Sequence, residues 1–139
     1  MKRNILFALL LILGIGFCGN VFAQINVTIG NGTATNTTTG GPAPYGTWYK
    51  NFRQQFLVLA SEVEDAGGGP GNINSVAFNV AALNTCSPMT NYTIRLKTTT
   101  QTALTTTFEE GAYQTVFVQD GFMPVVGWNT HTFTAPFVW

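Results

Sequence analysis

The sequence predicts an all-β domain, an antiparallel β-sandwich of jelly-roll or immunoglobulin/fibronectin-like type, after an N-terminal signal peptide. After residue 24 the chain is rich in Thr, Gly, Asn, Val and Phe and poor in Lys and Glu, a composition that suits pleated, half-buried strands. Short apolar or alternating runs recur between clusters of Gly, Asn and Pro, which favour turns. Residues 24–139 have the length of one domain with one core.

The first 23 residues have the features of a secretory signal peptide. Lys2 and Arg3 precede a short apolar run, and the stretch ends in "NVFAQ", which fits cleavage after Ala23. A lipoprotein anchor at Cys18 is disfavoured because the residue before it is large. The apolar run is too short for a stable membrane span. The chain is therefore expected to be secreted or displayed on the cell surface, with no membrane span after residue 23.

Two strands are predicted in the first half of the mature chain. "INVTIG" at 25–30 is the first, and "RQQFLVLA" at 53–60 is the second. The continuous apolar run that begins at Phe56 favours a strand covered on both faces, because a solvent-facing helix would need polar residues within the run. Ser61 predicts the cap of a single helical turn, which the glycines of "GGGPG" end.

Four later segments predict strands because apolar and polar side chains alternate along them. The clearest is "NYTIRLKT", in which Tyr92, Ile94 and Leu96 share one face. The Thr-rich stretch 98–112 predicts a hairpin or an edge strand. The four strands are predicted at 72–80, 91–98, 113–119 and 128–134.

The motifs "VTIGNGT", "PYGTWYKNFRQQFLVLASEVEDAG", "GNINSVAFNV", "NYTIRLKTT" and "GWNTHTFTAPFVW" occur in this order. Together they resemble a β-sandwich module of secreted and surface-associated multidomain proteins of Bacteroidetes. The resemblance implies type IX secretion, neighbouring fibronectin type III or PKD-like modules, and no catalytic motif. It also implies a further strand after "TAPFVW", so we expect a domain truncated at its C-terminal end, with an unpaired edge beside Phe137 to Trp139.

Cys86 is the one cysteine that remains after residue 23. In an oxidising compartment it could pair with a cysteine in a missing segment, or it could be a buried free thiol. Both readings are open. A catalytic thiol is disfavoured, because activation needs a neighbouring base and nothing in the sequence brings the single histidine, His131, to Cys86.

The sequence predicts no catalytic centre. His131 shares strand parity with Phe133, which predicts a packed, inward-facing ring. A zinc site would need several His or Cys ligands, and the sequence has none at a suitable spacing. No serine lies in a nucleophile elbow. The acidic residues stand next to one another in turns instead of facing each other across a sugar. Calcium is the one cofactor considered, with Glu109, Glu110 and Asp120 as candidate ligands.

Aromatic residues give the candidate ligand-binding site. Tyr45, Trp48 and Tyr49 lie close together in "PAPYGTWYKNF", and exposed rings stack on sugars or anchor partner proteins. The alternative is that they plug the end of the core. Trp128 and Trp139, in strand-like segments, are predicted to pack inside.

Charge limits the partners further. Residues 24–139 carry four basic and six acidic side chains, so no basic patch predicts nucleic acid as a partner. The partners expected are a glycan or surface protein and further domains of the same chain. The first functional hypothesis is a non-catalytic surface module for adhesion, binding or spacing. The second is an accessory domain of an exported hydrolase whose catalytic part is missing.

Overall fold

The structure, a computed structural model, describes residues 24–32, 34–36, 43–49 and 51–139. The predicted signal peptide, residues 1–23, lies outside the described residues. The described residues form one short helix and four strands, which agrees with the predicted predominance of β-structure. The elements are α1 (Ala60–Asp65), β1 (Asn72–Val80), β2 (Tyr92–Leu96), β3 (Gln114–Gln119) and β4 (Gly127–Val138). Within the described residues, no helix has the length and apolar character needed to cross a membrane.

The strands form two antiparallel pairs. β1 pairs with β4, in a register that sets Val76 opposite His131 and Val80 opposite Gly127. β2 pairs with β3, with Tyr92 opposite Gln119. Side-chain bonds connect the two pairs, because Gln114 Nε2 donates to the Pro136 carbonyl oxygen of β4 at 3.3 Å. β3 therefore lies beside β4 without a backbone ladder between them.

Each strand pair contains a bulge. In the β1–β4 pair the register shifts between Ile73 and Ser75, and the extra residues of β4 include Pro136, which has no N–H to offer a ladder. In the β2–β3 pair Ile94 faces Phe117 while Arg95 faces Thr115. Val116 is the extra residue of this second bulge, and its side chain is fully buried. The bulge thus directs a valine into the interior.

All four strands supply the apolar core. Val116 of β3 packs with Phe133 and Phe137 of β4, and these three are the buried apolar residues of the described chain. β1 and β2 add partly buried side chains around them, and Trp139 completes the cluster. The strand residues that β1 and β2 contribute are Ile73, Val76, Ile94 and Leu96.

The four later strands are confirmed, and β4 extends beyond its predicted end. β1 occupies the predicted residues 72–80. After β4 ends at Val138, Trp139 and Gly71 exchange two backbone hydrogen bonds of 2.9 Å each. Phe137 is buried. β1 and the residue before it therefore pair with one edge of the segment from Phe137 to Trp139. The truncation expected after Trp139 stays a prediction.

Three predicted strands and the predicted packing of Trp128 are wrong. Residues 25–30 and 53–60 form no strand, because neither segment finds a ladder partner among the described residues. The stretch 98–112 forms no strand either. Trp128 lies on the outer face of β4 and is 59% exposed.

The helix also begins two residues earlier than a cap at Ser61 allows. α1 starts at Ala60, so Leu59 occupies the N-cap position. Glu62, three residues after the cap, reaches back and accepts the Leu59 N–H at 2.8 Å. The carboxylate thus satisfies a backbone donor at the helix N-terminus, and Ser61 falls within the first turn.

Two valines of β3 allow a matched test of the core. Val116→Ala removes buried methyl groups and leaves a cavity, so we expect a loss of about 2 kcal/mol in the free energy of unfolding. Val118 lies on the same strand and is 54% exposed, so Val118→Ala should change it by less than about 0.5 kcal/mol. Urea denaturation measures both variants. Equal losses would contradict the assignment of Val116 to the core.

Candidate functional site

His131 lies at the centre of an aromatic cluster between the strands. Its parity on β4 with Asn129 and Phe133 directs all three side chains inward. His131 is completely buried, which confirms the prediction of a packed, inward-facing ring. The nearest rings are Phe117 of β3, with centroids 4.7 Å apart, and Phe122, at 4.9 Å, both in edge-to-face contact. The other rings that contact it are Tyr92, Tyr45 and Phe78.

Tyr45 attaches the loop that carries it to this cluster. The Tyr45 hydroxyl and His131 Nε2 share a hydrogen bond of 2.6 Å. The Tyr45 ring also lies 5.4 Å from Phe122 and 5.6 Å from Tyr92. A residue 86 positions away in the chain is thus fixed to β4 by one hydrogen bond and several ring contacts. Tyr45 is half-buried, which favours a structural role for it over a role in ligand binding.

Burial determines the protonation of the polar groups in the cluster. Removal from water lowers the pKa of His131 below its ordinary value of 6.5, because the interior disfavours the imidazolium. The same effect raises the pKa of Tyr45 to about 12, although a hydrogen bond with Tyr92 opposes it. Burial also raises the pKa of Tyr92. All three groups are therefore neutral at pH 7.

One nitrogen of His131 is left without a partner. Nδ1 is buried and forms no hydrogen bond with the described residues. A neutral imidazole carries one N–H and one lone pair, and Tyr45 satisfies the nitrogen on the other side of the ring. Because His131 is fully buried, a substrate does not reach it in this structure. Within the described chain, its hydrogen bond and ring contacts are made with aromatic side chains.

Trp48 and Tyr49 face solvent, unlike Tyr45. Trp48 is 71% exposed and Tyr49 is 63% exposed. They follow Tyr45 by three and four residues, so the anchored tyrosine positions the loop that presents them. The structure thus separates the three aromatic residues that the sequence groups together: one belongs to the interior, and two form an exposed aromatic pair.

The candidate calcium ligands Glu109 and Glu110 lie among cationic side chains. Lys97 Nζ contacts Glu109 Oε1 at 2.9 Å and donates to the Glu110 carbonyl oxygen at 2.6 Å. Arg53 pairs with the Glu110 carboxylate at 3.5 Å. Gln55 braces the same loop, because its side-chain amide bonds both the N–H and the carbonyl oxygen of Glu109, each at 2.8 Å. The two glutamates are thus held in an ion-paired corner.

Asp120, the third candidate, lies at the other end of the β2–β3 pair. Its Oδ1 accepts the N–H of Asn91 at 3.0 Å, and Asn91 adopts a φ of +52°. Asp120 therefore braces the turn that enters β2. In the described parts of the chain, no three His, Cys, Asp or Glu residues come together in a group that could hold a metal ion. The structure does not unite the predicted calcium ligands, and calcium binding remains a prediction.

Cys86 is a free, partly exposed thiol in this structure. Its Sγ lies 3.7 Å from the sulfur of Met123. The sequence leaves two alternatives open for Cys86: a disulfide with a cysteine in a further segment, or a buried free thiol. The contact with Met123 tests neither of them.

Sequence reasoning missed most of the residues around His131. Phe117, Phe122 and Tyr92 come from three different parts of the chain, and no local pattern predicts that they meet. Asn129 is also buried, and its side chain bonds Val125 N–H and carbonyl oxygen at 2.8 and 2.7 Å. The alternation in "WNTHTFT" could have found Asn129, because it shares parity with His131.

Comparisons with family models, with curated proteins and with solved structures find no match to this chain. The function of the chain is therefore inferred from the geometry of the chain's own residues.

The Tyr45 hydroxyl can be tested by removing one oxygen atom. Tyr45→Phe keeps the ring contacts but leaves both nitrogens of the buried His131 without a partner. We expect it to lower the free energy of unfolding by about 1–3 kcal/mol. Tyr49→Phe removes an exposed hydroxyl and should have little effect. Thermal and urea denaturation of both variants measure the difference, and equal stabilities would show that the Tyr45–His131 bond contributes nothing.

The buried histidine also predicts a pH dependence. Because the pKa of His131 is lower in the folded state, the unfolded chain binds more protons below pH 6.5. Stability should thus be constant above about pH 6.5 and fall as the pH drops further, by at most about 1.4 kcal/mol per pH unit from this group. His131→Phe should flatten the profile between about pH 7.5 and 5.5. An identical slope in both proteins would assign the dependence to other groups.

Proposed function

We propose that this chain is a non-catalytic, exported or cell-surface module that binds a glycan through the exposed rings of Trp48 and Tyr49. In this role it would serve adhesion or spacing within a larger protein. The observation that carries the proposal is the exposure of these two adjacent rings, three and four residues after an anchored tyrosine. Flat aromatic faces stack on the C–H faces of sugar rings, and exposed indole rings are costly to hydrate.

The anchoring of the loop supports this proposal. A binding residue on a loop loses conformational entropy when its ligand binds, and a loop that is already fixed loses less. Tyr45 fixes the start of this loop to β4 through His131. At its other end Gln54 Oε1 accepts the Ala43 N–H at 2.7 Å, so a side chain after the aromatic pair holds the residue two positions before Tyr45. The exposed aromatic pair is thus presented from a braced loop.

The burial of the single histidine supports the non-catalytic part. A general base must reach the proton that it removes, and His131 is fully enclosed by side chains. Glu109 and Glu110 are paired with Lys97 and Arg53. Export is proposed from the sequence of residues 1–23.

We also propose that the two strand pairs are the two layers of a β-sandwich. The support is the shared core, to which β1, β2, β3 and β4 all contribute side chains. In a sandwich the inward-facing residues of both sheets form one apolar layer, and the alternation along β4 has this character. Outward-facing threonines on β4 alternate with its buried residues.

A matched pair of tryptophans tests the glycan site. Trp48→Ala should reduce binding to immobilised polysaccharides by at least about tenfold, which corresponds to about 1.4 kcal/mol. Trp128 is also exposed but lies on the outer face of β4, so Trp128→Ala should leave binding unchanged. Binding to a panel of soluble and immobilised glycans, followed by tryptophan fluorescence, measures the effect.

Three outcomes would contradict the proposal. Equal loss in both variants would indicate non-specific aromatic adsorption. Absence of binding to every glycan, combined with Trp48-dependent binding to a purified surface protein, would replace the glycan by a protein ligand. Hydrolysis of any glycan in the panel would overturn the non-catalytic assignment.

A further inference from the structure

Residues 52–58 form neither helix nor strand, and no strand lies beside them in the described chain. None of their backbone N–H or carbonyl groups bonds another described residue. Leu59, the next residue, donates its N–H to Glu62 and accepts from α1 at its carbonyl oxygen. Leu59, which follows them, has φ −80° and ψ 146° and so has an extended backbone. An extended apolar segment with unpaired backbone groups is a template for pairing with another strand.

The side chains of this segment alternate as in a half-buried strand. Gln55, Leu57 and Leu59 are partly buried, while Phe56 and Val58 are about half exposed, at 51% and 50%. Gln55 turns inward, where its side-chain amide pairs with the backbone of Glu109 and with the Tyr113 hydroxyl. The inner side of the segment is thus fixed by side-chain bonds, and its register relative to the domain is set.

We propose that residues 53–59 pair with the same residues of a second copy of the chain, as an antiparallel, two-fold symmetric strand pair. This inference is independent of the proposed glycan site. A symmetric pair is self-complementary, so one surface patch provides both partners. Each copy supplies the ladder hydrogen bonds that the other lacks. The Phe56 ring contacts Phe78 of its own chain, with centroids 6.0 Å apart, and its exposed half faces the second Phe56 at the centre.

Charge selects the antiparallel arrangement and the second copy. The sequence is basic at the start of the segment, at Lys50 and Arg53, and acidic after it, at Glu62, Glu64 and Asp65. Arg53 pairs with Glu110 of its own chain at 3.5 Å, a contact between exposed side chains that is weak enough to be exchanged. An antiparallel pair centred on Phe56 sets Arg53 opposite Leu59 and directs the basic start of each copy toward the acidic α1 of the other. A parallel pair would bring like charges together. The segment is therefore complementary to itself in one orientation.

A small interface of this kind gives a weak dimer. One strand pair with one aromatic contact lies at the low end of interface sizes. The oligomeric state is therefore measured by sedimentation velocity from about 1 µM to about 1 mM, a range that covers weak association. The protein is purified after export, without the predicted signal peptide. We expect a monomer at the low end, a dimer at the high end, and weaker association at high salt.

Proline substitutions test the ladder itself. Proline keeps an extended backbone but removes the N–H, and no N–H of residues 52–58 bonds a described residue in the single chain. Adjacent residues of a strand present their N–H groups to opposite edges, so Phe56→Pro and Leu57→Pro are both made, and at least one should abolish the dimer. Leu104→Pro, in the exposed stretch between β2 and β3, is the matched control and should leave the dimer intact. Circular dichroism checks that each variant folds.

A cysteine trap tests the register and does not depend on the proline variants. Facing residues of an antiparallel pair have Cα atoms about 4.5–5.5 Å apart, which is within the range of a disulfide. On a Cys86→Ser background, Phe56→Cys should form an intermolecular disulfide when oxidised glutathione accepts the two electrons and two protons of the thiols. Val118→Cys, equally exposed on β3, should not.

Charge exchange provides the specific test of orientation. Arg53→Glu and Glu64→Lys should each weaken the dimer by several-fold, and the double variant should restore it. A dimer unaffected by both proline variants would overturn the proposal. A monomer at all concentrations would also overturn the proposal. Rapid exchange of the amides at 53–58 would then show that the segment is unpaired, and slow exchange would show that another segment of the same chain covers it.

Discussion

The packing of His131 is the constraint on which the interior depends. One imidazole contacts rings from β1, β2, β3 and two connecting segments, so the strand pairs and the first loop converge on a single side chain. A phenylalanine at this position would pack as well and would be cheaper to bury. The imidazole adds a directional bond to Tyr45, and this bond specifies where a loop 86 residues earlier in the chain docks. The histidine thus exchanges some stability for a unique arrangement.

Local pattern predicted the strands whose partners lie within the chain. β1 was predicted to the residue, and β2, β3 and the start of β4 follow from alternation, because period two appears wherever one face of a strand is buried. The inward position of His131 follows from the same parity. The segments 25–30 and 53–60 have equally strong strand patterns but form no ladder here. A strand is stabilised by its neighbour, so a pattern shows that a segment suits a sheet and not that a partner is present.

The candidate site shows the same division between local and tertiary information. Sequence proximity grouped Tyr45 with Trp48 and Tyr49, but only contacts with distant residues separate the anchor from the exposed aromatic pair. Glu109 and Glu110 are adjacent in sequence as predicted, yet Lys97 comes from after β2 and Arg53 from before α1. No spacing rule predicts that two cations meet these acids. Tertiary contacts therefore place Glu109 and Glu110 in an ion-paired corner. Its outer bond, between the exposed side chains of Arg53 and Glu110, contributes little to stability.

The strand pattern of residues 53–59 and their unpaired backbone have one physical explanation. Of the apolar residues in the described chain, Val116, Phe133 and Phe137 are the ones that are buried, which is a small core for a domain of this length. The same chain leaves Phe56 and Val58 half exposed on a segment that Gln55 fixes to the backbone of Glu109. A strand of matching length laid along this segment would remove both side chains from water and satisfy the backbone groups at once. Because its two ends carry opposite charge, a second copy in the antiparallel orientation satisfies the electrostatic requirement without any further sequence. The unfilled edge and the small core are therefore two aspects of one incomplete sheet.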